Sequence, residues 1–199
     1  MRSLLAVAVF CAALFGCTEK PQPAPQPFQS TDISQAGYDA DFRLTDHHGQ
    51  PRRLADFRGK VVLMSFGYTH CPDVCPTTLA ELAQVRKKLG PAAQDVQVLF
   101  VTVDPERDTP AALAEYVPYF DPTFLGLYGD PAAIARTAKN FHVYYKKQPS
   151  GSAAGYAMDH TAGTYIFDRR GRLRLMAGYG SGADVIAHDV KLLLAEQGG

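Results

Sequence analysis

The apolar residues of this chain form two kinds of run, one continuous and one spaced along a helical face. Continuous apolar runs at 60–66 and 96–104 are typical of strands that are covered on both faces of a sheet. Between them, Leu79, Leu82 and Val85 recur at helical spacing. Helices are predicted at four places, each with an apolar face or an early proline: 79–89, 110–119, 131–140 and 183–197.

Two further segments alternate apolar and polar residues on either side of a tight turn, which predicts β-hairpins. One spans 41–54 and the other spans 163–178, and a short strand is predicted at 125–129. Strands and helices therefore alternate along the chain. This order predicts an α/β fold with a mixed central sheet, helices on both faces and an N-terminal β-hairpin.

The first 36 residues do not share this pattern. Arg2 precedes an apolar run that is too short for a transmembrane helix, and the layout is that of an export signal. Residues 14–17 are similar to the box of bacterial lipoprotein signals, in which Cys17 would be acylated; an uncleaved membrane anchor is the alternative. We expect a signal at 1–16, an extended Pro/Gln-rich tether at 17–36 and a domain at 37–199, exported and anchored on the periplasmic side of a bacterial membrane.

Composition narrows the function classes. The chain has 20 Lys plus Arg and 20 Asp plus Glu, so it lacks the excess of basic residues that is typical of nucleic-acid-binding proteins. Of the four cysteines, Cys11 would leave with the signal and Cys17 would carry lipid, which leaves Cys71 and Cys75 as thiols. A disulfide that closes only three intervening residues removes little loop entropy. The pair is therefore better explained by chemistry than by a structural role.

Cys71 and Cys75 lie where a buried strand gives way to a helix, an arrangement of the thioredoxin type. Residues four apart share a helical face, and a separation of ~6 Å along that turn allows either a disulfide or a joint metal site. We expect the helix to begin beyond Pro76, with Thr78 and Glu81 as a capping box. Its positive end would favour thiolate. Three intervening residues, against two in thioredoxins, leave room for a metal without excluding thiol–disulfide exchange.

Two sulfurs rarely complete a metal site, so a third ligand is expected among the six histidines or four methionines. His160 precedes a strongly apolar strand, and its loop can lie close to the Cys loop; a capping or turn histidine is the alternative. His47 and His48 are expected to be solvated in the hairpin turn. His142 and His188 are expected in helices.

Three separated blocks of the sequence resemble the SCO/SenC family of copper chaperones: FGYTHCPDVCPTTLAEL at 66–82, VTVDPERDTP at 101–110 and DHTAGTYIFDRRGRLR at 159–174. The resemblance runs from about Asp41 to the terminal helix. It implies a thioredoxin-like fold and one copper per chain, as Cu(I) or Cu(II), bound by Cys71, Cys75 and His160. Two thiolates and an imidazole suit Cu(I) and can hold Cu(II), whereas zinc usually takes four ligands.

The resemblance also implies work on the copper A centre of cytochrome c oxidase, by delivering copper, by reducing the cysteines of that centre, or by both. The partners would be the oxidase subunit that carries this centre, other periplasmic copper carriers, and thioredoxin-like reductants. One alternative is an extracytoplasmic thiol–disulfide oxidoreductase that acts without copper. A peroxidase-like activity rests on fold analogy alone.

Two acidic features near these blocks have open roles. Asp159 either orients the ring of His160 as an outer-shell group or caps a turn. The VDPERDTP block has no ligand chemistry of its own and is expected to serve as a strand exit and a helix cap, with partner docking as the weaker alternative.

Overall fold

A computed structural model of the chain describes residues 27–150 and 155–196. The predicted signal at 1–16 and the part of the predicted tether that contains Cys17 lie outside these residues. In the described part, no helix is both long and apolar enough to cross a membrane. The elements are, in chain order, β1 (Thr31–Asp32), β2 (Arg43–Asp46), β3 (Pro51–Arg53), β4 (Val61–Gly67), α1 (Val74–Leu89), β5 (Val96–Thr102), α2 (Pro110–Tyr116), β6 (Leu125–Tyr128), α3 (Pro131–Asn140), β7 (Tyr145–Pro149), β8 (Tyr156–His160), β9 (Gly163–Phe167), β10 (Leu173–Gly178) and α4 (Ala183–Ala195).

One mixed sheet organises the domain, with the strand order β1-β10-β9-β4-β5-β6-β2-β3. The pairs β4–β5 and β5–β6 are parallel, and the other pairs are antiparallel. Helix α1 packs against α4, while α2 contacts β6 and α3 contacts β2. The α/β prediction, the mixed sheet and the hairpin β2–β3 are confirmed.

Strands β4 and β5 form the centre of the core, because every residue in both is buried. The continuous apolar runs therefore predicted doubly covered strands correctly. Leu79, Leu82 and Val85 of α1 are fully buried against this centre. Truncating one such leucine to alanine typically costs about 2–5 kcal/mol, so the strand ends that carry the Cys loop are firmly held.

The folded part begins earlier than the predicted start at residue 37. Strand β1 pairs with β10 at the edge of the sheet, and the N–H groups of Gln29 and Ser30 donate to the carboxylate of Asp189 at 2.8 and 2.7 Å. Asp189 is fully buried in α4, and a buried carboxylate requires such donors. This contact joins residues about 160 apart, so the composition of the tether did not reveal it.

Two histidines lie elsewhere than predicted. His47 is buried, and its Nδ1 accepts a hydrogen bond from the Gly126 N–H at 3.0 Å, because β2 pairs with β6 beside it. His142 follows the end of α3 with a positive φ of 51° and stacks on the ring of Tyr38. Neither of them approaches the cysteines as a ligand in the described structure.

The hairpin β7–β8 was not predicted. It forms a separate two-stranded sheet in which Tyr145 pairs with His160 and Pro149 pairs with Tyr156. All five residues of β7 are exposed or half-buried, and the strand carries no regular apolar alternation that would have predicted it. In addition, the predicted helix at 110–119 ends at Tyr116, before Pro118.

Candidate metal centre

The Cys loop connects the end of β4 to the start of α1. The helix begins at Val74 with Asp73 as N-cap, so Cys75 and Pro76 lie in the first turn. The expectation that the helix begins beyond Pro76 was therefore wrong. A proline is tolerated in the first turn, because the first N–H groups of a helix have no partner within the helix. The expected capping box is also absent, because the Thr78 hydroxyl donates to the Val74 carbonyl at 2.8 Å.

The two sulfurs share one face of this turn. The Cys75 N–H donates to Sγ of Cys71 at 3.3 Å. Cys75 is buried, whereas Cys71 is half-buried, and both are free thiols. The turn therefore leaves one sulfur accessible from solvent and shields the other.

The Cys75 thiol lowers the pKa of Cys71 to about 3 by donating a hydrogen bond to its thiolate. Burial opposes this shift, while His160 and the N–H groups of Asp73 and Cys75 support it. The pKa of Cys75 is raised, first by its hydrogen bond to Cys71 and then by burial. The dithiol thus holds one proton between its sulfurs, and a metal bound by both would release that proton.

Gly67 makes room for this arrangement at the end of β4. A Cβ at this position would lie 2.8 Å from Sγ of Cys75 and 2.7 Å from Cε2 of the Phe100 ring. Both distances are shorter than real contacts of this kind, so a side chain would displace the sulfur or the buried ring. Glycine is required here by close approach rather than by an unusual backbone angle.

The third group arrives from the last residue of β8. Nε2 of His160 lies 3.5 Å from Sγ of Cys75, and Nδ1 lies 3.0 Å from the Thr161 carbonyl oxygen. Because a carbonyl only accepts, the Nδ1–H donates to the Thr161 oxygen, and this hydrogen bond aims Nε2 at the sulfurs. One ligand atom from each of Cys71, Cys75 and His160 lies within 4.8 Å of the other two. The structure thus brings together the three residues singled out in the sequence.

Asp159 does not reach the His160 ring. Its side chain is exposed and accepts a hydrogen bond from Nε2 of Gln148 at 2.9 Å. Successive side chains in a strand point to opposite faces, so neighbours 159 and 160 diverge. The outer-shell role considered for Asp159 is therefore filled by the carbonyl oxygen of Thr161.

The VDPERDTP block supports the Cys loop, a role that the sequence did not reveal. Asp108 is buried, and its carboxylate accepts hydrogen bonds from the N–H and hydroxyl of Thr69 and from the hydroxyl of Thr102. Burial raises the pKa of Asp108. The expected helix cap is also present, since the Thr109 hydroxyl accepts from the Ala112 N–H. The available signal was a pair of aspartates, Asp104 and Asp108, in the loop that follows a buried strand.

The donor set is two sulfurs and one imidazole nitrogen, which matches Cu(I) and can hold Cu(II). A structural zinc site would normally be closed by four ligands. Because Cys71 is half-buried, a partner's ligand can approach the metal from solvent. The geometry therefore fits a site that takes up and releases a soft cation.

Comparison with known proteins supports the same chemistry. A family model described as SCO1/SenC matches residues 30–195. The chain is 44% identical over 157 residues to the mitochondrial SCO2 homolog of Mus musculus, covering 78% of this chain and 62% of that protein. It is 36% identical over 155 residues to an SCO2-like protein of Rickettsia conorii, covering 77% and 74%. The chain thus spans less than two thirds of the mitochondrial relatives that it matches.

Solved structures give the same result. The structure of Bradyrhizobium japonicum ScoI with copper bound matches with a TM-score of 0.71 at 44% identity, covering 77% of this chain and 98% of that one. Yeast Sco1 with copper bound matches with a TM-score of 0.70 at 29% identity, covering 79% and 88%. The thioredoxin-like fold expected from the sequence is confirmed by these matches.

Proposed function

The chain belongs to the SCO1/SenC family, and on that premise we propose that it is a copper metallochaperone. Cys71, Cys75 and His160 would hold one copper ion per chain, as Cu(I) or Cu(II). The observation that carries this proposal is the meeting of these three groups, since His160 lies 85 residues from Cys75 in sequence and 3.5 Å from it in space. Copper-bound relatives with the same fold support the choice of metal.

Uptake and release follow from the donor set. Both sulfurs would ligate as thiolates, which displaces the single proton of the free dithiol. The imidazole would add a borderline ligand, and a site with this third ligand binds Cu(II) better than two thiolates alone. Because three ligands leave a position open, an incoming thiolate or imidazole from a partner can bind before the chaperone lets go.

The target we infer is the copper A centre of cytochrome c oxidase, whose subunit would receive copper, have its cysteines reduced, or both. Other periplasmic copper carriers and thioredoxin-like reductants are the further partners. Family membership supports this inference. The low pKa of Cys71 supports the reductant role as well, because a thiolate is the form that attacks a disulfide.

We also propose that the protein is exported and tethered on the periplasmic side of a bacterial membrane by lipid on Cys17. A Bacillus anthracis relative with 26% identity is described as an SCO1/SenC family lipoprotein. Mass analysis of the mature protein tests the proposal. A diacylglyceryl group on an N-terminal Cys17 supports it, and a mature chain that retains residues 1–16 contradicts it.

Replacement of His160 by alanine is the main test of the metal site. We expect the reduced wild-type domain to bind one Cu(II) with a sulfur-to-copper charge-transfer band, and the His160→Ala variant to lose tight Cu(II) binding with its fold intact. Metal analysis, the electronic spectrum and circular dichroism measure this. Unchanged Cu(II) affinity would remove His160 from the ligand set.

The alternative is a thiol–disulfide oxidoreductase that acts without copper. It requires the two cysteines but not the imidazole. If His160→Ala reduces a disulfide in the oxidase subunit at the wild-type rate, and copper does not change that rate, the copper-independent function is the correct one.

A further inference from the structure

Arg107 lies between the two halves of the candidate metal centre. Its side chain is 15% exposed, and Cζ lies 3.6 Å from the ring centroid of Tyr156 and 5.6 Å from that of Tyr68. Tyr156 begins β8, the strand that ends in His160, whereas Tyr68 directly follows β4 and opens the Cys loop. A single guanidinium therefore contacts an aromatic ring from each half.

Hydrogen bonds close a network around the same residue. Nη1 of Arg107 donates to the Tyr156 carbonyl oxygen at 3.0 Å, and Nε donates to the carboxylate of Asp104. The Tyr156 hydroxyl donates to the other oxygen of Asp104 at 2.9 Å. Tyr156 is thus held through its ring, its carbonyl and its hydroxyl. Asp104 is 2% exposed, and a hydrogen-bonded network is strong where water is excluded.

The hairpin depends on such side-chain contacts for its position. Strands β7 and β8 pair with each other and not with the eight-stranded sheet. A two-stranded hairpin is marginally stable alone. Another ion pair between the hairpin and the block, Lys147 with Glu106, has side chains 44% and 65% exposed, and exposed pairs contribute little. Of these two polar links the largely buried Arg107 network is the stronger, and it acts beside the apolar contact of Met158, which is buried in the core.

We propose that Arg107 is a positioning residue that sets the distance between His160 and the dithiol. Tyr156 and His160 lie four residues apart on one face of β8, so fixing the tyrosine fixes the approach of the imidazole. This inference rests on the proposed function, because the positioned group is the third copper ligand. The proposal also means that the VDPERDTP block supports both parts of the metal centre. Asp108 holds the Cys loop, and Asp104 with Arg107 holds the hairpin that carries His160.

The consequence differs between the two oxidation states of copper. Cu(I) is satisfied by two thiolates, whereas Cu(II) depends more on the imidazole. Loosening the hairpin should therefore speed the loss of Cu(II) more than the loss of Cu(I).

Arg107→Met tests the proposal, with Lys147→Met as a matched control. Both cations lie over the Tyr156 ring, the lysine at 4.1 Å, but Lys147 belongs to the hairpin itself. We expect Cu(II) transfer to a chelator to be about tenfold faster in Arg107→Met, with weakened imidazole nitrogen coupling in the electron paramagnetic resonance spectrum. Lys147→Met should stay within about twofold of wild type. Arg107→Lys should fall between, because lysine keeps the charge but not the planar contacts.

Amide hydrogen exchange of the metal-free protein provides a readout that needs no copper. We expect exchange at 156–160 to be about tenfold faster in Arg107→Met, with the amides of β4 and β5 unchanged. Unchanged exchange at 156–160, or an equal effect of Lys147→Met, would overturn the proposal. Uniform acceleration across β4 and β5 would also overturn it, since that indicates general destabilisation. If exchange responds as expected but the wild-type protein binds no copper, the proposed function fails while the positioning role of Arg107 stands.

Discussion

The Cys loop and the His hairpin supply the same candidate site in different ways. The Cys loop grows out of β4, a fully buried strand in the middle of the sheet. The His hairpin is a separate two-stranded sheet whose residues are half-buried or exposed except for Met158, and it is attached by side chains. The backbone of the core therefore sets the two sulfurs, whereas side-chain contacts of the hairpin, the Arg107 network and the buried Met158, set the imidazole. Such a division allows one half to retain the metal while the other half regulates how tightly it is held.

The largest expected effect concerns the Cys loop alone. The Cys75 thiol is the main cause of the low Cys71 pKa, and His160 is a lesser one. Because a lowered pKa leaves the thiolate populated at all pH values above it, we expect the rate of Cys71 alkylation by iodoacetamide to be nearly constant from about pH 5 to about pH 8. At pH 6 its thiolate fraction should exceed that of a free cysteine by about 300-fold.

The same profile separates the two regions. His160→Ala should keep the flat profile, whereas the denatured protein should lose about tenfold in rate for each unit of falling pH. Peptide mapping identifies the alkylated cysteine. A wild-type rate that rises tenfold per pH unit through this range would contradict an ionised Cys71.

Gly67→Ala should have the next largest effect, because it disturbs the rigid half. The added Cβ would meet Sγ of Cys75 and the ring of Phe100. We expect the free energy of unfolding to fall by about 1–3 kcal/mol, and Cu(II) dissociation to accelerate. Chemical denaturation and chelator competition measure the two effects.

Gly178→Ala is the matched control for Gly67→Ala. Gly178 ends β10, and a Cβ there would meet nothing closer than the Ser181 hydroxyl at 3.9 Å. Its effect on stability should stay within about 0.5 kcal/mol. Equal effects of the two substitutions would show that the space next to Cys75 is not specifically required.

Asp159→Asn should have the smallest effect, and it tests which face of the His hairpin matters. The exposed carboxylate lies on the outward face and accepts a hydrogen bond from the half-buried Gln148 side chain. Asparagine keeps an acceptor of the same shape, so we expect Cu(II) dissociation to change by less than about twofold. Chelator competition beside His160→Ala provides the scale. A tenfold change would restore Asp159 as the group that orients the imidazole.

Local patterns predicted most of the fold because burial along the central elements is regular: it is continuous in β4 and β5 and follows one face of α1. The apolar runs of β4 and β5 and the helical spacing of α1 identify doubly covered strands and an amphipathic helix without further information. Strand β7 escaped prediction, since its consecutive polar residues Lys146, Lys147 and Gln148, followed by a proline, resemble a loop. Strand β1 escaped because its partner and the buried Asp189 that anchors the segment before it lie far along the chain.

By itself the sequence determined the local chemistry of this protein: two thiols in one turn at a helix start, on a strand that must be buried. It also supplied His160 as a candidate, although only the family resemblance selected it among the histidines. Only the tertiary structure decided that His160 meets the sulfurs, that Asp159 turns away, and that Arg107 ties the hairpin to the Cys loop. The physical reason is range. Residues up to four apart are placed by backbone periodicity, whereas contacts over tens of residues depend on strand order and on buried polar networks that no local pattern encodes.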